Sequence, residues 1–492
     1  MRRLFTVLTL GAALVAAQEP PLPDTTPLEL ELKRFLDVFA IAEQHSADAV
    51  TPDAVFFQGA IPGMLRQLDP HSVFFDKDQF EQLREMQQSV SKGFGSVVSV
   101  LPGRVIVLQT QPGSPSAKAG LAPGDEILGI NNIALSGLEL EQLIQVLGAT
   151  RQRQALLAVR RQGTAGILTF TLTPAELQSP SVDRLLELAP GVAYLRVTSF
   201  DEDTAKLLGE AIEKLGGKKL KGLIMDLRDN PGGSLASALD AAALFLKPGQ
   251  RILSARGRSA KTQDIDVPAK ATPYDFRLAI LIDAKTASAA EIVTGAVQDN
   301  DRGVVLGETS FGKGLVQSVT ALSDGCGLAL TTAFYYTPSG RSIQKPLRTG
   351  QLEGTTGTKE RPEFKTTRGR IVRGGGGIEP DILASPDAPT RLKYVLEASA
   401  SFTSFATEYL HRVKELPSNF KMAAPLLDEL QLYLSQRNIR PGIADWSSHR
   451  DWISWRLEQE ILNQGRGVAA GDEVEVRNDP VVKRAIAALG TN

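Results

Sequence analysis

With a single cysteine, Cys326, in 492 residues, the chain can close no internal disulfide, so its fold must rest on buried apolar surface rather than a disulfide framework. A surplus of charge is missing as well. The 54 basic and 56 acidic residues leave a net charge of −2, which argues against a nucleic-acid-binding face and against an acidic disordered arm. Beyond the first residues no segment approaches the ~20 uninterrupted apolar residues of a membrane-spanning helix. Histidine is scarce, occurring only at 45, 71, 411 and 449. A Ser-His-Asp triad would have to recruit one of these from a distant segment, and no Gly-x-Ser-x-Gly elbow occurs. No cofactor or metal is called for.

What is present begins with an address. Met1-Arg2-Arg3 is basic, Leu4–Val15 is apolar and Val15-Ala16-Ala17 is a small-residue site before Gln18, the pattern of a cleaved signal peptide over residues 1–17. A periplasmic or secreted protein is expected, with an uncleaved membrane anchor as the alternative. The length predicts about two to four domains.

Four zones follow. Residues 28–90 read as helical, because Leu28, Leu32, Phe35, Leu36 and Phe39 recur at a helix period. Residues 91–174 change to short β-like runs (SVVSV, RVIVLQT, DEILGI, ALLAVRR, ILTFTLT) interrupted by one helical pattern, Leu138–Leu147. That is the mark of a small β-rich domain. Residues 181–385 alternate strand and helix, VAYLRV, LIMDL, LAILI and GVVLG being separated by helical stretches; this predicts a largely parallel sheet covered by helices, an α/β fold. The glycine-rich stretch Thr355–Gly377 reads as an extended loop. Residues 389–492 are helical again and hold all three tryptophans; Trp452, Ile453, Leu457 and Ile461 share one helix face, predicting a domain that packs on the core or on a second subunit.

Two loops of the α/β zone hold small residues that packing alone does not require. One is Arg228-Asp229-Asn230-Pro231-Gly232-Gly233. The other, Asp283–Ile292, puts Ser288 at a helix N-terminus, where unpaired amides favour developing negative charge. A nucleophilic serine needs a base, and lysine can serve if burial lowers its pKa from ~10.4 to roughly 7–8. Lys313 lies in GETSFGKGLVQ, Gly307–Gln317. This stretch fails as a nucleotide-binding loop because Gly314 stands where Ser or Thr is needed and LVQSVT reads as a strand, not a helix. A Ser–Lys pair 313 − 288 = 25 positions apart remains, with Gln317 on the same face of an extended chain.

The phrase Ser116–Leu128, S-x-x-A-G-L-x-x-G-D-x-I-L, resembles a PDZ domain. That resemblance makes Lys92-Gly93-Phe94-Gly95 the candidate carboxylate-binding loop, Ser96–Val100 the strand edge and Leu138–Leu147 the opposite wall of a groove for peptide C-termini; the plain alternative is a glycine hinge. Together with TASAAEI, FGKGLVQ, DNPGG, LDPHSVFF, YYTPSGRSIQ and GIEPDI, the chain resembles the carboxyl-terminal processing peptidases, or tail-specific proteases. The resemblance implies a serine endopeptidase with a crotonase/ClpP-like core and an inserted PDZ domain. It implies Ser288 as nucleophile, Lys313 as general base, Gln317 as the residue that positions it, and an oxyanion hole from the amides of Ala289 and of Gly232 or Gly233. Asp299 matches an acidic position of the family, and a structural role fits it equally. Ser-Ala-Ala-Glu departs from the commoner Ser-Ala-Ser-Glu without touching the nucleophile. Cys326 stands where a small residue is usual and reads as packing. Substrates would be proteins with free C-termini. Whether an adaptor delivers them, and whether helical termini join copies into a homo-oligomer, is left open. The alternatives are a PDZ scaffold that binds tails without cutting, which predicts loss of Ser288 or Lys313, and an NTPase.

Overall fold

A computed structural model describes residues 25–490 apart from 88–89, 102, 152, 162, 179, 259–261, 346, 349–350 and 353–360. The predicted signal peptide therefore lies outside the described residues. The described chain forms two compact units, divided between Gln67 and Leu68. The first holds α1 (Thr25–His45), a π-helical turn (Ala54–Ala60) and most of α2 (Ile61–Leu68). Phe35 of α1 meets Phe56 edge-on and Phe39 meets it at a tilt, while Leu32, Leu36 and Ile41 stay more than half exposed. Among the described residues no helix is long and apolar enough to cross a membrane.

The second unit opens with β1 (Val73–Phe75), α3 (Lys77–Gln87) and β2 (Val90–Gly93). A small β-domain follows: β3 (Ser96–Leu101), β4 (Arg104–Thr110), α4 (Pro115–Ala119), β5 (Glu126–Ile130), β6 (Ile133–Ala134), α5 (Leu140–Thr150), β7 (Ala155–Arg160) and β8 (Leu168–Leu172). Its strand order is β3-β4-β5-β7-β8, with β6 paired to β5. Its core is Val105, Val107, Ile127, Leu143, Leu157 and their neighbours. β9 (Ala175–Gln178) returns to pair with β2, closing the neck of the domain. α4 was not legible as a helix in the sequence. It starts from the Ser114 cap and ends at Gly120, φ +84, so turn chemistry rather than periodicity makes it.

The mainly parallel sheet and the elements threaded between its strands follow: β10 (Val182–Ala189), β11 (Val192–Val197), α6 (Thr204–Lys214), β12 (Gly222–Asp226), α7 (Leu235–Ala243), β13 (Arg251–Arg256), β14 (Gln263–Asp266), β15 (Arg277–Ile282), α8 (Ala289–Asp299) and β16 (Val304–Gly307). Its order is β10-β11-β12-β15-β16 and then the short strand Ile382–Leu383. All neighbours from β11 onward run parallel. Strands of a sheet buried on both faces carry apolar residues at successive positions, and β12 is buried throughout. Leu223, Met225 and Ile280 face the helices α6, α7 and α8. Ile224, Ala279 and Leu281 face the other way, onto Val481, Val482, Ala485 and Leu489 near the C-terminus. A second sheet joins β1, β13 and β14 to the hairpin β17 (Leu315–Ala321) and β18 (Gly327–Tyr336).

The glycine-rich segment departs from the sequence expectation. Part of it, 355–360, lies outside the described residues, but Glu363–Lys365 pairs with Ile371–Arg373. Gly377 approaches Ser310 so closely that a Cβ would lie 2.4 Å from the Ser310 carbonyl oxygen. Close backbone approach, invisible to periodicity, holds it. The C-terminal region comprises α9 (Arg391–Ala398), α10 (Ser401–Val413), α11 (Ala424–Gln436), α12 (Ile443–Ser448), α13 (Arg450–Arg466), α14 (Val468–Asn478) and α15 (Pro480–Gly490). Ile453, Leu457 and Ile461 lie in its own core, as the shared helix face requires, and α15 covers the free face of the large sheet.

Candidate active site

Three loops leave the carboxyl ends of the adjacent parallel strands β12, β15 and β16, where open α/β sheets commonly form their sites. They carry Asp229–Gly233, Ser288 and Lys313. Ser288 is the residue before α8 and has φ +53, ψ −117, a region that a residue with a Cβ enters only under constraint. The constraint is Glu291, the third residue of the helix and fully buried. Its Oε2 accepts the Ser288 N–H and the Lys313 N–H, both at 2.9 Å. Its Oε1 accepts the Gly312 N–H at 2.7 Å and the Ser310 hydroxyl. The turn bearing the serine and the loop bearing the lysine are thus tied to one carboxylate. Burial pushes the Glu291 carboxyl upward, and the four donors oppose this. Four donors match the lone-pair sites of an ionised carboxylate.

Glu291 is the main residue that the sequence reading passed over. Its signal was there: Ser288-Ala-Ala-Glu291 is the S-x-x-E spacing of a capping box.

Lys313 is half-buried, and desolvation lowers its pKa while Glu291 and Asp69 pull it back up. Asp69 and His71 reach it from LDPHSVFF. Asp69 accepts the amides of His71 and Ser72 at 2.7 and 2.8 Å and the Ser72 hydroxyl at 2.7 Å, a self-folded turn. Burial acts to raise the Asp69 carboxyl, but these bonds hold it below its ordinary value. His71 is shifted down, by burial first and then by the Lys313 charge, while Asp69 pulls it back up. Gln317 donates from Nε2 to the His71 carbonyl at 2.7 Å, so its amide nitrogen is committed to this turn.

Asn230, fully buried, pins the neighbouring loop. Its Nδ2 donates to the Val197 carbonyl at 2.8 Å, and its Oδ1 accepts the Gly232 N–H at 2.8 Å. A Cβ on Gly232, φ +99, would lie 2.8 Å from both the Ala289 nitrogen and the Ser288 Cβ. A Cβ on Gly233 would lie 2.1 Å from the Phe200 carbonyl oxygen. Both positions exclude a side chain. Asp299 sits at the opposite end of α8, eleven residues or ~16 Å along the helix, in a buried ion pair with Arg341 at 2.8 Å. Cys326 is a free thiol at a turn.

Lys92 and Gly93 end β2, at the neck of the small β-domain, and Phe94 and Gly95 lead from it into β3. They line one end of a groove of about 580 Å³ between β3 and α5, walled by Val98, Val100, Ile144 and Leu147 with Arg151 at its rim. Gly95 has φ +74, and a Cβ there would lie 2.2 Å from the Ser114 Cβ. β3 is the outermost strand of its sheet.

The family models for "Peptidase family S41" and "PDZ domain" match residues 191–351 and 106–161. The chain is 34% identical over 321 residues to the carboxy-terminal-processing protease of Bartonella bacilliformis, covering 64% of this chain and 73% of that protein. It is 34% identical to the chloroplastic carboxyl-terminal-processing peptidase 2 of Arabidopsis thaliana, covering 58% of each. To the carboxy-terminal processing protease CtpB of Bacillus subtilis it is 33% identical, over 58% of this chain and 60% of that one. It thus spans nearly three quarters of the first relative and less than two thirds of the other two. Serine, lysine and glycine loops at neighbouring strand ends, a small β-domain with an open strand edge, and these likenesses converge: the chain belongs to the carboxy-terminal processing proteases, peptidase family S41, and carries a PDZ domain.

Proposed function

We propose that the protein is a serine endopeptidase that captures C-terminal tails of exported proteins in its PDZ groove and cleaves them with a Ser288–Lys313 dyad. The observation that carries this reading is the single buried carboxylate, Glu291, on which the Ser288 and Lys313 amides meet at 2.9 Å each. Neutral Lys313 takes the proton as Ser288 Oγ attacks the scissile carbonyl carbon. The tetrahedral oxyanion is held by the amides of Ala289 and Gly233, since the Gly232 N–H is already spent on Asn230. Collapse breaks the C–N bond, and the leaving amine takes its proton from Lys313. Water, deprotonated by the same lysine, then releases the acyl group. Gln317 is assigned the positioning of the Lys313 amine, its own amide nitrogen anchored on the His71 carbonyl.

In the PDZ domain the tail adds as a strand beside β3, its carboxylate received by the amides near Gly93–Gly95 and its last side chain by the apolar groove. A crotonase/ClpP-like architecture accords with the parallel order of the core sheet. The basic and apolar first residues favour export to the periplasm or beyond, and the exposed apolar face of α1 favours self-association through the helical termini. An adaptor is compatible with this arrangement. The test is incubation of the full chain, and of Ser288→Ala, with an unfolded protein whose C-terminus is free or amidated, fragments being read by mass spectrometry. Cleavage of the free form that vanishes in Ser288→Ala is expected; equal cleavage by both proteins would sink the assignment.

A further inference from the structure

The loop that holds Gly233 begins at Arg228, and Arg228 is not held by the protease core alone. Its guanidinium forks onto Asp226 at the end of β12, with Nε 3.0 Å from each carboxylate oxygen. The remaining nitrogen, Nη1, lies 2.7 Å from the Asp479 carboxylate, and both side chains are less than one fifth exposed. Asp479 lies in the C-terminal extension, outside the residues that either family model matches. The same carboxylate caps α15 through Oδ1, accepting the Val481 N–H at 2.7 Å, and α15 packs on the free face of the sheet that bears all three site loops.

The preceding helix is anchored just as firmly. Arg184 reaches Asp472 of α14 at 2.8 Å from a backbone with φ +51, at a register shift between Asp183 and Leu186 in β10. Bulges re-aim side chains in this way. In return Arg477 of α14 donates to the carbonyls of Glu187 and Leu188 at 2.8 and 3.1 Å. The turn between α14 and α15 is thereby fixed on the core at two points, and Asp479 is presented from it to Arg228.

We infer that Asp479 is a positioning residue for the peptidase reaction: through Arg228 it sets the placement of the loop Asp229–Gly233, so the C-terminal extension completes the oxyanion site from outside the matched protease region. The inference rests on the assignment of Gly233 and Ala289 as oxyanion donors. Such donors act only where the oxyanion forms, and a displacement of about 1 Å can cost about 100-fold in rate. Arg228 is charged at every accessible pH, so removing the Asp479 charge leaves a half-buried guanidinium arm unpaired one residue before the loop.

Asp479→Asn and Asp479→Ser test this without removing the helix cap, since Asn and Ser cap as well as Asp. Asn loses the charge, and Ser loses the reach as well. In the full-length protein, both variants should lower kcat for a quenched fluorescent peptide with a free apolar C-terminus by about 10- to 100-fold. KM and the melting temperature should stay near the wild-type values. Inhibition by a peptide aldehyde, whose adduct with Ser288 places an oxyanion in the site, should weaken in parallel with kcat/KM. A merely structural residue would lower the melting temperature and leave kcat and aldehyde affinity unchanged well below it; that result, or wild-type kcat in both variants, overturns the inference. Ser288→Ala, run alongside, separates the two levels. If it still cleaves, the dyad itself is wrong and the inference falls with it; if it is inert while both Asp479 variants are fully active, only the role of Asp479 fails.

Discussion

Two glycine loops in this protein are assigned to anions in the proposed function, and they are built differently. Asp229–Gly233 has positive φ at 229, 232 and 233 and is pinned by Asn230, by the Phe200 N–H on the Gly232 carbonyl at 2.9 Å and by the Ala287 N–H on the Asn230 carbonyl at 2.9 Å. Gly93–Gly95 has one positive φ, at Gly95, and sits beside the outermost strand of a small sheet. The first loop is pinned by these bonds, which suits the proposed oxyanion site, because donors there must be in place before the charge forms. The second borders an open edge, which suits the proposed entry of a peptide tail as an added strand. On the proposed reading, rigidity serves the chemistry and an open edge serves the capture.

The sharpest way to break this comparison is to remove the nucleophile. Ser288→Ala should lower peptide cleavage by about 10⁴-fold or more while the affinity for a free-tailed peptide, measured by fluorescence anisotropy, stays unchanged. Cleavage and binding that fall together would mean that the two loops are not separate machines. Next in size is Glu291→Gln. Its amide offers one acceptor oxygen where four donors converge, so buried N–H groups are left unpaired. A loss of about 10²- to 10³-fold in kcat is expected, with about 1–3 kcal/mol of stability, measured by steady-state kinetics and denaturant unfolding. A near-wild-type rate would show that the clamp is dispensable.

The pH profile probes the locked half alone. The proposed base, Lys313, acts only when neutral, and burial lowers its pKa, so kcat/KM should rise with pH through a midpoint below ~10.4. The sign for stability is the same: between the lowered folded pKa and the unfolded one, the unfolded chain binds more protons, so this group's contribution rises with pH and is lost as pH falls through the folded value. A plateau complete by about pH 6 would instead favour a histidine base, and His71, beside Lys313, would be the one to examine. The mildest change acts on the open loop. Gly95→Ala puts a Cβ 2.2 Å from the Ser114 Cβ and should raise KM about 10-fold with kcat preserved, equivalent to about 1.4 kcal/mol of lost tail binding. Amidating the peptide C-terminus should reproduce that loss in the unmodified protein.

The helix after Ser288 was legible because a small-residue loop follows the apolar strand LAILI and precedes a further apolar run. Lys313 could be taken out of a phosphate-binding loop because LVQSVT alternates and is β-branched, and β17 follows it. β10 was missed: VDRLLELA has few β-branched residues, and its pairing slips twice. β13 and β14 escaped because they belong to the second sheet and break the simple alternation of strand and helix.

The sequence by itself determined the succession of zones and the core strand–helix alternation, the PDZ phrase, and the residue types that a Ser–Lys site requires, since these depend on local periodicity and on which side chains can hold a proton. Only the tertiary structure decided what surrounds them. It set Asp69 and His71 against Lys313 from more than 240 positions away, put the Glu291 carboxylate between serine and lysine loops, and brought Asp479 to Arg228 from 251 positions down the chain. Burial, hydrogen-bond convergence and strain at positive φ arise only when separate segments meet, and no local pattern encodes the partner on the other side.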